Sequence, residues 1–438
     1  MVGVAVANDS SAEASRPPSP CCMGWLNHFD NSSETDLLHT PRINPIKVST
    51  GAIASVHALC TALDITPDEI ARALSLTAGE RYQERNVPKP NGSSRTVHNP
   101  HHLIRKIQRR INRRIFANSD VIAWPDHVFG SIPNDDLSIS PAADKDYVNC
   151  ARQHCQAKSI LSVDIKDFFD NIHKERVREI FSDFLKCSAD VAEVLADICC
   201  REDHVVQGAL TSSYIATLCL YSNEGLVVTR LRHKGLRYTR LVDDITVSSQ
   251  IAQYDFSFAL RQVEGMLDEV GLPLNTNKTK IQNAGMRPLI VHGLRVDFDQ
   301  PRLPPDEPRR IRAAVKNLEL LAATPGYRAS RTYRKDFNRC LGRVNKLDRV
   351  GHTQHQKLLD RIRKVLPLPS HKDIERAEQQ VARLQKDSAK PGYQETYWFY
   401  KRWHVASQRI GILKRSFPRK AMELREHLRP LYPKMPYE

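Results

Sequence analysis

Tyr238-Thr239-Arg240-Leu241-Val242-Asp243-Asp244-Ile245 is the stretch that decides the reading of this chain. Two adjacent carboxylates stand between apolar residues, and Tyr238 to Ser249 reads as two short strands around a tight turn. Such a hairpin sets both acids beside a sheet core. Like charges ~4 Å apart repel by ~1 kcal/mol in water and by ~4 kcal/mol at the effective dielectric of a protein surface. A fold tolerates that when a cation lies between them. Taken alone, the pair also fits a turn with both side chains in water. A second acidic site, Asp164, ends the apolar run of Ile160-Leu161-Ser162-Val163-Asp164-Ile165-Lys166-Asp167-Phe168-Phe169, where Ser159 to Ile165 reads as a buried strand. Two Mg²⁺ ions roughly 3.5–4 Å apart on such acids would clamp the attacking and leaving oxygens of a phosphoryl displacement.

The rest of the chain fits a nucleic-acid enzyme. It has 438 residues, which suggests two or three packed units, and 41% hydrophobic content, enough for real cores. A net charge of +15 favours a polyanionic partner, most commonly nucleic acid, although anionic membranes and acidic proteins are attracted to such a surface too. There are ten cysteines but no Cys-x-x-Cys, which argues against a zinc framework or a secreted disulfide scaffold. Reduced thiols in a cytoplasmic protein fit best. The start lacks the basic flank of a signal peptide, and no run of 18 apolar residues suggests a membrane span.

Residues 1–45 are rich in Ser, Pro and Asn and read as an irregular arm. Thr66-Pro67-Asp68-Glu69 carries a capping box with Pro at the first helical position, so a helix should run through Leu76. Asn91-Gly92 signals a hairpin turn. A strong helix follows over about Pro100 to Phe116, with the apolar stripe Ile104, Ile107, Ile111 and Ile115. Its other faces carry Arg105, Lys106, Arg109, Arg110, Arg113 and Arg114 with no acid among them, which reads as a phosphate-facing helix. His173 to Leu185 reads as a helix with Val177, Ile180, Phe181 and Phe184 on one side. After Asp306 the chain turns helical and basic. Asp373 to Gln385 is heptad-like but too short for a coiled coil, and no internal repeat is read. The last 40 residues mix aromatics and bases, as in Tyr397-Trp398-Phe399-Tyr400-Lys401-Arg402-Trp403. They either hold an RNA by stacking or pack as a helix pair against the preceding helices.

Several blocks in order resemble the reverse transcriptase superfamily, and within it the bacterial retron-like and defence-associated branch. Val87-Pro88-Lys89-Pro90-Asn91-Gly92-Ser93-Ser94-Arg95 resembles the family's fingers hairpin, and Phe129-Gly130-Ser131-Ile132 its next block. The Ser162 to Ile172 segment is similar to polymerase motif A, Gln207-Gly208-Ala209-Leu210-Thr211-Ser212-Ser213 to motif B, and Tyr238 to Asp244 to motif C. Gly271-Leu272-Pro273-Leu274-Asn275 with Lys278-Thr279-Lys280 is similar to motif D, and Val291-His292-Gly293-Leu294 to the primer-grip turn. The resemblance covers about residues 66–368.

That resemblance implies an α+β right-hand polymerase with an additional helical C-terminal region. Helices and fingers would occupy 46–160, the palm 161–300, a helical thumb 301–368, and a basic aromatic extension 369–438. Asp164, Asp243 and Asp244 would hold two Mg²⁺, with Mn²⁺ as a substitute and the Ile165 carbonyl completing one shell. Phe169 would exclude a 2′-hydroxyl, unless it is a core aromatic beside Phe168. Lys89 and Arg95 would grip the triphosphate. Gln207 and Gly208 would line the nucleotide pocket, Gly208 by close backbone approach. Lys278 would donate a proton to pyrophosphate or stabilise its charge, unless it is a solvated lysine. The helix arginines and Gly293 would touch nucleic acid. Implied partners are an RNA template, perhaps a dedicated noncoding RNA, a DNA product and dNTPs, with a second defence protein or another copy of the chain also open, and no membrane.

Four departures set the chain apart from true retrons. Leu241 replaces the usual Tyr, and motif B lacks prolines. Ser140-Pro141-Ala142-Ala143 stands where retrons carry Asn-Ala-x-x-His, and His292 replaces Thr. A defence-associated polymerase outside the retron group is expected. Template-independent or protein-templated synthesis and a catalytically silent RNA-binding scaffold stay open as alternatives.

Overall fold

The computed structural model describes residues 42–88, 92, 94–134 and 144–433. Most of the 1–45 arm, Lys89 and the Ser140–Ala143 segment therefore lie outside the described residues. At the centre is a five-stranded sheet in the order Lys280–Asn283, Ser159–Asp164, Asp244–Ser249, Arg237–Leu241, Val128–Phe129. All neighbours are antiparallel except the last pair. The Ser159–Asp164 strand is covered on both faces, which explains why it reads as a nearly continuous apolar run.

The helices form where caps and periodicity dictate. Thr66 and Glu69 make the reciprocal capping box, and the helix runs Pro67–Ser75. The isoleucine stripe is buried as expected, in a helix over His102–Ile111 whose last turn widens into a π-turn at Asn112–Phe116. The Tyr82–Pro88 and Ser94–Pro100 strands pair into the expected hairpin. No helix among the described residues is long and apolar enough to cross a membrane.

Beyond the sheet come two three-helix bundles with separate cores. The first comprises Asp306–Ala323, Arg331–Arg349 and His355–Lys364. The second comprises His371–Ser388, Tyr397–Leu413 and Pro418–Leu428. Their core positions recur at an interval of 66 residues, as in Val315/Val381, Val344/Ile410 and Leu358/Leu424. The expectation of no internal repeat is thereby corrected. Some core letters repeat, as in Val315/Val381 and Leu358/Leu424, and others changed within apolar types, as in Val344/Ile410 and Tyr333/Phe399, so burial repeats more fully than letters do. The aromatic run is a third helix pair's worth of packing only in part: Phe399 is in the second core, and Trp403 donates its indole N–H to the Leu428 carbonyl at 3.2 Å.

A neutral polar chain ties the sheet to the helix under it. His154 is wholly buried, with Nδ1 2.7 Å from Ser248 Oγ and Nε2 2.7 Å from Thr239 Oγ1. Burial pushes its pKa down to about 3. In the unfolded chain the ring titrates near its ordinary value of about 6.5. The unfolded state therefore binds a proton that the folded state refuses between those values. The stability held here is whole above that window and is lost as pH falls through it. Going from about pH 7 to about pH 5 should cost about 2 kcal/mol through this ring. Urea midpoints for the wild type and His154→Gln at both pH values check it; parallel losses in the two proteins would remove His154 as the cause.

Candidate active site

Register brings the acids together. Asp164 stands directly opposite Asp244 across the antiparallel pair. Asp244 closes back on Leu241, which leaves Val242 and Asp243 as a two-residue turn. Val242 has φ +59, a conformation that a β-branched residue adopts at a cost of about 1–3 kcal/mol. A strained turn persists only where its surroundings impose it. Here the imposing group is Arg240, which is fully buried and donates from Nη1 to the Val242 carbonyl at 3.2 Å. The same guanidinium grips Glu224 at 2.6 and 2.7 Å and the Thr217 carbonyl at 2.8 Å. Tyr238 donates to Glu224 at 2.9 Å. Burial opposes ionisation of Glu224, but the Arg240 charge overcomes it and holds the carboxyl well below its usual range. From the other side Gly130 abuts the turn; a Cβ there would come within 2.9 Å of Val242 Cγ2.

The front of the site is acidic and under strain of a different kind. Burial and then the neighbouring acids raise the pKa of Asp243. The same causes push Asp244 up to about 6. Lys278 Nζ lies 2.9 and 3.0 Å from the two oxygens of Asp164, and Asn275 Nδ2 donates to that carboxylate at 2.9 Å. The Asp164 hydrogen bond, with the charge of all three acids, holds the Lys278 ammonium above its ordinary pKa. Lys278 is thus a cation already placed on the acids, not a lone solvated lysine. As the side chains stand, no group of three or more His, Cys, Asp or Glu among the described residues closes on one point. A metal would have to take Asp164 from Lys278. The donor set fits a hard divalent ion: oxygen ligands only, with protonation of Asp243 and Asp244 favoured by burial and then by the neighbouring acids, both of which a bound cation would offset.

The other expected residues divide. The Ile165 N–H, just past the end of the Ser159–Asp164 strand, donates to the Asp243 carbonyl at 3.2 Å. Phe168 is buried, and Phe169 is partly buried and packs against the same core, its ring centroid 5.9 Å from that of Phe168. Gly208, at φ +107, does make a close backbone approach, but to protein: a Cβ would lie 2.3 Å from the His98 carbonyl. Gln207 accepts from the His98 N–H at 2.6 Å. Motif B therefore clasps the Ser94–Pro100 strand, on which Arg95 is exposed. His292 and Gly293 both have positive φ, as a tight hairpin between Ile290–Val291 and Leu294–Arg295 requires. His292 Nδ1 is 3.8 Å from Asp244. Burial pushes its pKa down to about 4, so the ring is neutral.

The basic helix is not one phosphate face. Arg110 pairs with Asp64 at 2.8 Å, Arg114 donates to the Ala62 carbonyl at 3.1 Å, and Lys106 meets Glu69 at 2.6 Å. These three bind the preceding helices, so Arg110 and Arg114 already have partners within the protein. Arg105 donates to Asn99, and Arg109 lies over the Tyr397 ring at 5.1 Å. Sequence reasoning missed Asn275 as a ligand of Asp164, although it quoted the motif that contains it. It missed Glu224 entirely. A carboxylate sixteen residues from Arg240 gives no periodic signal; only folding makes it the counter-charge.

The family profile described as reverse transcriptase (RNA-dependent DNA polymerase) matches residues 87–313. The retron Ec48 reverse transcriptase of Escherichia coli is 44% identical over 375 residues, covering 86% of this chain and 91% of that one. The retron Se72 reverse transcriptase of Salmonella heidelberg (strain 579083-10) is 29% identical over 339 residues, covering 76% and 83%. Apo telomerase from Candida Tropicalis superposes with a TM-score of 0.37 at 12% identity, over 89% of this chain and 67% of that one, too weakly to carry an argument. The chain belongs to the reverse transcriptase family, as a bacterial retron-like RNA-directed DNA polymerase and hence a nucleotidyltransferase. Its similarity to retron enzymes corrects the expectation of a place outside the retron group.

Glu224→Gln would leave the buried Arg240 charge without its partner. Removing one member of such a pair costs about 3–5 kcal/mol. The urea midpoint should fall accordingly, with loss of activity at temperatures where the variant remains folded. A variant as stable as the wild type would mean that Arg240 finds another counter-charge.

Proposed function

We propose that the chain copies a bound RNA of the retron type into DNA, adding dNTPs to a primer 3′-hydroxyl, with Asp164, Asp243 and Asp244 as the ligands of two Mg²⁺ ions. The observation that carries this reading is the register that sets Asp164 opposite Asp244 with Asp243 in the turn between strands. The primer oxygen attacks the α-phosphate of the dNTP, and the bond to pyrophosphate breaks. When bound, the ions would supply positive charge to the attacking and leaving oxygens. The protein's part is placement. The Arg240–Glu224 pair fixes the turn. Lys278, released from Asp164, stands where it can meet the charge or the proton demand of the leaving pyrophosphate. Phe169, five positions after Asp164 and only partly buried, would lie under the sugar and disfavour ribose. Arg95, exposed on its strand, would grip the triphosphate, and the resemblance gives Lys89 the same role. The resemblance to defence-associated enzymes supports a role against phage.

Purified protein with its co-purifying nucleic acid should incorporate labelled dNTPs in Mg²⁺, and Asp243→Asn/Asp244→Asn should lose that activity by about 10³-fold or more. Sequencing the product separates the readings. Complementarity to a bound RNA supports templated synthesis, and a product unrelated to any bound strand favours synthesis without a nucleic-acid template. Bound RNA with no incorporation, even with neighbouring components and phage lysate added, favours the scaffold. Phage plating on cells carrying wild-type or doubly substituted protein tests the defence role.

Phe169→Ala should raise incorporation of rNTPs relative to dNTPs by about tenfold or more, because the steric bar to the 2′-hydroxyl is gone. Single-nucleotide kcat/KM ratios measure it. An unchanged ratio would return Phe169 to a packing role.

A further inference from the structure

Two bundles of the same build stand in tandem at the end of the chain, and they differ in one place. The interval of 66 residues holds through the core: Leu318/Leu384, Tyr333/Phe399, Leu347/Leu413 and Ile362/Leu428 add to the pairs given above. It also holds through the connections. Pro325-Gly326-Tyr327 and Pro391-Gly392-Tyr393 match, with φ +72 at Gly326 and +70 at Gly392. Each turn leads through a short 3₁₀ segment to a hydroxyl cap, Ser330 or Thr396. Each cap accepts from the N–H of the buried aromatic three residues on, Tyr333 or Phe399. The turn tyrosine then meets that aromatic edge-on, at 5.8 Å and 76° in the first bundle and 6.4 Å and 89° in the second. A common three-helix solution would explain the cores. It would not explain the same turn, the same cap and the same ring contact at one interval. The second bundle is a copy of the first.

The difference lies in the first turn of the middle helix. The first bundle has Arg331, Thr332 and Arg334 around its buried Tyr333; the second has Tyr397, Trp398 and Tyr400 around its buried Phe399. Buried chemistry stayed while the outer positions changed from basic and polar to aromatic. Trp398 is 51% exposed. Lys401, at the place of Lys335, holds its ammonium 5.4 Å from the Trp398 ring and 5.7 Å from that of Tyr397. Tyr397 also bears the guanidinium of Arg109, on the helix read from the sequence as phosphate-facing. The second bundle as a whole, over 372–431, carries fourteen Lys and Arg against seven acids.

An exposed ring, Trp398, beside the half-buried Tyr397 and set among cations, suits one ligand chemistry. Unpaired bases stack on the rings while the cations meet the backbone phosphates. A duplex offers such a site little, because its base faces are already stacked. We propose that residues 372–431 are a second thumb-like module, converted at Tyr397, Trp398 and Lys401, beside Arg109, into a binding site for single-stranded nucleic acid. This goes beyond the polymerase reading, and its binding assay needs no nucleotides, so failure of either is told apart from failure of the other.

The test uses the full-length protein, freed of nucleic acid, with a fluorescein-labelled oligouridine and a blunt RNA duplex of equal length followed by anisotropy. Trp398→Ala should weaken oligouridine binding about tenfold and change duplex binding by less than about twofold. Trp398→Phe should keep most of the affinity, since a ring remains. Lys401→Ala should weaken binding and flatten its salt dependence. Thermal melts show whether each exposed-site variant is folded, and any that is not is replaced by Trp398→Leu, read the same way. Oligouridine binding unchanged in Trp398→Ala, equal losses for single strand and duplex, or a Phe variant as weak as Ala would each overturn the proposal. The second of these would make the bundle a general electrostatic surface.

Discussion

Three carboxylates brought onto adjoining strands are the constraint around which the rest of this protein is arranged. Left alone they repel, and burial raises the cost of charging them. The fold answers from two directions. In front, Lys278 and Asn275 hold Asp164. Behind, Arg240 and Glu224 form a buried bidentate pair that also takes the Val242 carbonyl. Such a pair adds little net stability over well-packed apolar residues. Its use here is geometric: it fixes a turn that a β-branched residue would not choose.

The catalytic strand serves both faces through its alternation. Tyr238 and Arg240 point to Glu224, and Thr239 points the other way, to His154 and Cys150. Cys150 in turn lies 3.2 Å from His292 of the grip turn. One face is ionic and clamps the turn; the other is neutral and joins the strand to the hairpin that would hold a primer. Low pKa values for both histidines keep that second face uncharged. The two faces therefore do not compete electrostatically, although they are one strand apart. Gly208 does similar work between motifs, letting motif B lie against the 82–100 hairpin where any side chain would strike the His98 carbonyl.

The tandem bundles show how a chain gains surface without inventing a core. The first turn of a middle helix has one buried aromatic position and several outward ones. Packing holds the former, and the latter are free to change. Arg331 and Tyr397 occupy equivalent places and have opposite chemistry. The second bundle thereby presents rings beside a basic helix that is otherwise largely committed to internal ion pairs.

What the sequence by itself determined is what local chemistry encodes. The capping box at Thr66, the isoleucine stripe, the buried Ser159–Asp164 strand and the two-residue turn at Val242-Asp243 all depend on neighbours within a few positions, and all were legible. The candidate acids were legible too, because adjacent carboxylates in an apolar setting are rare without a reason. Only tertiary structure decided who answers those charges. Glu224, Asn275 and His154 meet their partners across long stretches of chain, and no period marks them. The same holds for Arg110 and Arg114, whose partners here, Asp64 and the Ala62 carbonyl, lie about fifty residues away along the chain. The bundle repeat is faint in the letters for a related reason: packing preserves burial at every core position but identity at only some of them, such as Leu347/Leu413, beside the Pro-Gly-Tyr turn with its left-handed glycine.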